Sequence, residues 1–82
     1  MKVAITGGGG FLGLRLASAL LARGALGGRA ITRLVLLDAA FPEGVPEGAA
    51  RVAGDISDPA ALQQALPDDT EVVFHLAAVV SG

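Results

Sequence analysis

Val3-Ala4-Ile5-Thr6-Gly7-Gly8-Gly9-Gly10-Phe11-Leu12-Gly13 runs from an apolar segment through four glycines into a helical pattern. A strand, a glycine turn and a helix in that order bring backbone amides to an anion. Glycine at position 7 lets the chain turn off the strand, glycine at 10 lets amides approach a pyrophosphate, and glycine at 13 lets helix and strand pack closely. The N–H groups of Phe11 and Leu12 open the helix without intrahelical partners, at the positive end of its dipole. No lysine follows the loop: Leu14 and Arg15 stand where a mononucleotide P-loop has Gly-Lys-Ser/Thr. The spacing therefore reads as a dinucleotide site, against the bland alternative of a glycine-rich turn in a chain with twelve glycines.

Outward from the loop, the chain alternates strand and helix. Val3 to Thr6 is expected as a buried strand and Phe11 to Arg23 as a helix. The apolar stripe of that helix is Leu12, Leu16, Ala17, Ala19 and Leu20, and Gly24 is its cap. Residues 24 to 33 read as a long connection, and Leu34 to Leu37 as a second apolar strand ending at Asp38. After a Pro- and Gly-containing loop over 39 to 50, Arg51-Val52-Ala53 make a third strand closed by Gly54-Asp55. Ser57 or Asp58 caps a short helix with Pro59 at its first position, over Ala60 to Leu66. Glu71 to His75 is the fourth strand, leading into Leu76-Ala77-Ala78. The pattern predicts an α/β fold, a Rossmann-type parallel sheet with strand order 3-2-1-4 forming the N-terminal half of a doubly wound domain. The ligand crevice of such a sheet lies at the strand ends between the first and fourth strands.

Composition narrows the function classes. Of 82 residues, 52% are hydrophobic and 17% charged, as expected of strands buried on both faces. The formal charge of −2 leaves no basic footprint for nucleic acid. Cysteine is absent, which removes disulfides and thiolate metal sites. No apolar run approaches the roughly 18 to 20 residues of a membrane span, and Met1-Lys2-Val3 enters a strand directly, so a cytoplasmic protein with no membrane partner is expected.

Asp38 ends the second strand where the adenosine ribose of a dinucleotide would lie, and its carboxylate can accept from both ribose hydroxyls. It favours NAD, because the 2′-phosphate of NADP would bring a second negative charge nearby with no arginine beside Asp38; Arg33 is at the strand's other end. Asp38 follows Gly13 by more than the customary spacing, which the connection at 24 to 33 explains. Asp55 with Ile56 can meet the adenine amino group and ring, although capping the next helix is an equal use for Asp55 or Asp58. His75, the single histidine, reads as structural, bonded to nearby backbone, since no nucleophile accompanies it. Ala77 and Ala78 are small enough for the nicotinamide half to pass. Asp68, Asp69 and Glu71 read as a solvated acidic loop rather than a metal site.

Together these residues resemble the extended short-chain dehydrogenase/reductase family, also called the NAD-dependent epimerase/dehydratase family. Thr6 to Gly13 matches its Thr-Gly-x-x-Gly-x-x-Gly loop, Leu37-Asp38 its ribose reader, Gly54-Asp55-Ile56 its adenine reader and His75-Leu76-Ala77-Ala78 its fourth-strand signature. The resemblance implies NAD as cofactor and contacts to it from Gly7, Gly10, Phe11, Leu12, Gly13, Asp38, Asp55, Ile56, Leu76, Ala77 and Ala78. The long connection before Leu34 and the run from Ala77 to Gly82 are most similar to members that oxidise a sugar acid with NAD.

Family chemistry uses a tyrosine as acid/base and a lysine nearby on the same helix; this chain has no tyrosine, and its one lysine is Lys2. No catalytic residue is therefore expected within residues 1 to 82, which read as an NAD-binding half-domain of a longer dehydrogenase. The apolar edge at Val72 to Phe74 points the same way. The implied partner is a small-molecule substrate, a sugar acid or nucleotide sugar, with a homodimer formed through other parts. The alternatives are a nucleotide-sugar epimerase or dehydratase, a non-catalytic dinucleotide-sensing module, and a fragment that binds nothing.

Overall fold

The computed structural model describes residues 1–76; the expectations for Ala77 and Ala78 lie outside the described residues. The elements are β1 (Lys2–Thr6), α1 (Phe11–Arg23), β2 (Ala25–Leu26), β3 (Arg29–Ala30), β4 (Arg33–Asp38), β5 (Ala49–Ala53), α2 (Pro59–Ala65) and β6 (Val72–His75). Four strands form one sheet in the order β5-β4-β1-β6. All three pairings are parallel, with Ile5 opposite Leu36 on one side and Phe74 on the other. This is the expected 3-2-1-4 arrangement of a Rossmann-type sheet.

Alternation along the central strands divides the core into two layers. Val3, Ile5, Leu34 and Leu36 face α1 and pack with its Ala17 and Leu20. Val35 and Leu37 face the other way and pack on Ala61 and Ala65 of α2. Parallel strands covered on both faces must be apolar at successive positions, and Leu34, Val35, Leu36 and Leu37 are each at most 3% exposed. The α1 stripe differs from the expected one: Gly13, Ala17 and Leu20 are its buried residues, while Leu12 is 68% exposed and Ala19 is also exposed. Helix position relative to the sheet is set by the close approach at Gly13, which turns Leu12 outward.

Helix ends follow local chemistry. Gly24 terminates α1 in the left-handed conformation (φ 68°), its N–H donating to Leu20 O. Asp58 is the α2 cap: its Oδ1 accepts from Ala60 N at 3.0 Å, ahead of Pro59.

The connection over 24–33 is not irregular throughout. It folds as the antiparallel hairpin β2–β3, with Gly27 and Gly28 at φ 59° and 82°, the two positive values that a tight two-residue hairpin turn requires. Leu26 and Ile31 pack on the α1-side core. Arg29 reaches Glu71 at 2.5 and 3.2 Å, and the Met1 ammonium donates to Ala30 O. Asp69 accepts from Lys2, and that hydrogen bond holds its carboxyl below the ordinary carboxylate range. The acidic segment expected to be simply solvated thus ties the hairpin and the start of β1 to the start of β6. β5 begins at Ala49, two residues before the expected Arg51, because pairing with β4 continues down to Leu34 opposite Ala49.

Candidate functional site

The loop between β1 and α1 sits at the C-terminal edge of the sheet, and its amides can be accounted for one by one. Gly7 N and Gly8 N both donate to Leu37 O, at 2.8 and 3.1 Å, and Gly10 N donates to Gly7 O at 3.2 Å. Gly9 N donates to Asp38 Oδ2 at 2.9 Å. Leu14 N is the first amide bonded into the helix, to Gly10 O at 2.9 Å. Among the described residues, no acceptor takes the N–H groups of Phe11, Leu12 and Gly13. Three successive free donors at the positive end of a 13-residue helix can bind an anion without a basic side chain.

The glycines differ in what excludes a side chain. Gly7 has φ 73°, a left-handed conformation that a side chain strains. A Cβ at Gly13 would lie 2.4 Å from Gly7 O and 2.7 Å from Gly8 Cα, inside the backbone of the loop. A Cβ at Gly8 would lie 2.6 Å from Leu36 Cβ, and one at Gly9 2.5 Å from Ala40 O. Gly10 is the exception: its Cβ would meet only Gly7 O, at an ordinary 3.5 Å. The three glycines of the motif therefore divide. At Gly13 the obstruction is internal, whereas the space beside Gly10 is left open by the protein itself. Gly8 and Gly9 carry packing requirements that the Gly-x-x-Gly-x-x-Gly spacing leaves unmarked, and the unbroken run of four glycines was their only sequence signal.

A cavity of about 170 Å³ lies beside the loop, lined by Gly7, Leu37, Asp38, Ala39, Gly54, Asp55 and Ile56. Gly7, Asp38, Asp55 and Ile56 are thereby brought to one place, though they lie up to 49 residues apart in sequence. Its volume is below the roughly 300–1,000 Å³ of drug-sized sites, the size of one moiety rather than of a whole larger ligand. A wider depression of about 480 Å³ flanks Phe11, Leu14, Arg15 and Ser18 on the outer side of α1. It contains no carboxylate, and Arg15 is stacked 5.5 Å from the Phe11 ring centroid. The smaller cavity, not the larger, holds the two carboxylates, Asp38 and Asp55.

Asp38 Oδ1 accepts from Ala39 N at 2.7 Å while Oδ2 accepts from Gly9 N. A carboxylate has about four acceptor positions, so both oxygens keep capacity for hydroxyl donors. Asp55 is not the cap of α2. Its Oδ1 accepts from Ser57 N at 2.8 Å and from the Ser57 hydroxyl at 2.7 Å. The backbone bond first and the hydroxyl second lower its pKa below the ordinary carboxylate value, which keeps it an ionised acceptor. Its Oδ2 makes no bond among the described residues and Ile56 follows in the cavity wall.

His75 ends β6 opposite Thr6 of β1. Its Nδ1 lies 2.6 Å from Thr6 Oγ1, so its partner is a side chain rather than the expected backbone. Leu76 N donates to Thr6 O at 2.9 Å, extending the β1–β6 pairing toward the crevice. Ala77 and Ala78, expected next along this edge, are outside the described residues. No cluster of three potential metal ligands occurs among the described residues.

With this geometry in place, comparison with known proteins is specific. Residues 3–82 match the model of the NAD dependent epimerase/dehydratase family. The D-erythronate dehydrogenase of Cupriavidus necator is 59% identical over 100% of this chain and 27% of its own length. That of Haemophilus influenzae is 42% identical over 100% of this chain and 26% of its own. The crystal structure of a nucleoside-diphosphate-sugar epimerase from Agrobacterium tumefaciens superposes with a TM-score of 0.77 at 34% identity, over 100% of this chain and 25% of the other. The chain spans about a quarter of the length of these relatives.

Proposed function

The chain belongs to the NAD dependent epimerase/dehydratase family, and from that premise we propose that it is the NAD-binding part of an oxidoreductase that oxidises a hydroxyl of a sugar acid or related small substrate. The observation that carries the reading is the row of unpartnered amides at Phe11, Leu12 and Gly13 beside a space that Gly10 leaves open. A pyrophosphate fits there: it brings the negative charge the helix end favours and the acceptors the amides lack. Asp38 would take the adenosine ribose hydroxyls, and Asp55 with the Ile56 amide the adenine. Leu76, with Ala77 and Ala78, would border the nicotinamide half. NAD, when bound, supplies the hydride acceptor. This chain's residues would grip the two phosphates, select against a third, and hold the dinucleotide across the sheet edge.

Proton transfer is assigned to groups outside residues 1–82. The chain has no tyrosine. Its one lysine, Lys2, starts β1 at the opposite edge from the crevice and donates to Asp69. The sugar-acid reading is supported by the D-erythronate dehydrogenases named above, and the second reading, a nucleotide-sugar epimerase, by the Agrobacterium structure. Calorimetric titration of the protein with NAD and NADP tests the cofactor assignment. NAD is expected to bind more tightly by about tenfold, a repulsion of ~1.4 kcal/mol at the 2′-phosphate. Equal affinities would overturn the role given to Asp38.

A further inference from the structure

Every amide of the glycine loop that has a partner bonds to the backbone, with one exception. Gly9 N donates to the Asp38 side chain, 29 residues away. The approach is close on both sides: a Cβ at Gly9 would stand 3.0 Å from Asp38 Oδ2 and 2.5 Å from Ala40 O. Gly9 is thus wedged against the exit of β4, and the residue wedging it is fixed in turn, because Asp38 Oδ1 accepts from Ala39 N. Leu37 O anchors Gly7 and Gly8 just before. Without the carboxylate, Gly9 N would lose its one partner among the described residues, leaving the Gly10 N to Gly7 O bond alone to close the turn from which the free amides of Phe11, Leu12 and Gly13 are presented.

We propose that Asp38 is a positioning residue for the glycine loop, its carboxylate clamping Gly9 so that the free amides stand in their anion-binding arrangement before any ligand arrives. This deepens the dinucleotide reading above and rests on it. The proposal separates two effects that act in opposite directions on a phosphate ligand. By charge, Asp38 opposes an anion nearby; by its hydrogen bond, it organises the donors that bind one. Asp38→Asn removes the charge and keeps a side-chain oxygen for Gly9 N, whereas Asp38→Ala removes both.

The test uses inorganic pyrophosphate, which has no ribose, titrated into the protein and both variants and followed by amide NMR. Amide hydrogen exchange at Gly9 is measured without ligand, and thermal unfolding confirms that each variant is folded. Asp38→Asn is expected to bind pyrophosphate at least as tightly as the parent, and Asp38→Ala about three- to tenfold more weakly than Asp38→Asn, the range of one hydrogen bond. Exchange at Gly9 should rise about tenfold in Asp38→Ala and stay within about twofold of the parent in Asp38→Asn. Where the parent binds pyrophosphate, equal affinity in the two variants would overturn the proposal, whatever the exchange rates. Unchanged Gly9 exchange in Asp38→Ala would overturn it as well. Absence of pyrophosphate binding to the parent protein would instead bring down the dinucleotide reading, and the exchange rates alone would then decide the clamp.

Discussion

Replacing Gly10 by alanine should separate folding from binding, which the same change at Gly13 cannot do. Gly10 has φ −79° and ψ 171°, extended values open to any residue, and an added methyl would touch only Gly7 O at 3.5 Å. The lost unfolded-state freedom of glycine contributes about 0.4–1 kcal/mol of stability. Alanine is a poorer N-cap than glycine by a comparable amount, so the net change is about zero. Since 1 kcal/mol moves Tm by about 4–8 °C in a domain of this size, Gly10→Ala should melt within a few degrees of the parent. Its methyl would nevertheless occupy the space through which a pyrophosphate reaches the amides of Phe11 and Leu12. Overpacking of a close-fitting site costs about 1–3 kcal/mol, so NAD affinity should fall on the order of tenfold or more. At Gly13 the methyl meets Gly7 O at 2.4 Å and Gly8 Cα at 2.7 Å, backbone atoms that cannot rotate aside. There the same 1–3 kcal/mol is taken from the fold itself, and Tm should drop by roughly 5–20 °C. Circular dichroism melts and calorimetry with NAD read the two quantities. Parent-like NAD binding by Gly10→Ala, or a loss of Tm matching that of Gly13→Ala, would refute the reasoning.

Asp38→Asn should narrow the preference for NAD over NADP by about tenfold, because the carboxylate's repulsion of the 2′-phosphate disappears while its hydrogen-bonding oxygen remains; competitive calorimetry measures it. Leu36→Ala removes a side chain with no exposure from the centre of the α1-side core. It should cost about 2–5 kcal/mol by urea unfolding, a large share of the roughly 4–12 kcal/mol expected of a chain of this size. The depressed Asp69 pKa makes a signed prediction for pH. The Lys2–Asp69 contribution is present above the ordinary carboxylate value and is lost as pH falls through the lower native value. The stability gap between the parent and Lys2→Met should therefore shrink as pH is lowered from 7 to 2, and shrink with added salt because the pair is exposed.

The parallel sheet and its order were legible because continuous apolar runs such as Leu34 to Leu37 are what two-sided burial demands, and glycine spacing marked the first crossover. The sequence failed where short-range chemistry competes. The Leu26-Gly27-Gly28-Arg29 segment carries a Gly-Gly hairpin signal, yet two-residue strands are too short for alternation to reveal. The α1 stripe was misread at Leu12 and Ala19 because helical spacing alone does not fix rotation about the helix axis; the buried Gly13 does. At the site, residue identities at Gly7, Asp38, Asp55 and Ile56 were readable, and the structure gathers them around one cavity. The Asp38–Gly9 and His75–Thr6 bonds were not readable, since each joins residues at least 29 positions apart and depends on side-chain direction at a strand end.

The central claim is that the bare amides opening α1 hold the diphosphate of NAD. Titrating NAD into isotopically labelled protein and following the backbone amides tests it most directly. The largest shifts are predicted at Phe11, Leu12 and Gly13, with smaller ones at Ala39 and Ile56. Shifts centred on the β2–β3 hairpin or the outer face of α1, or no saturable shift at all, would contradict the account.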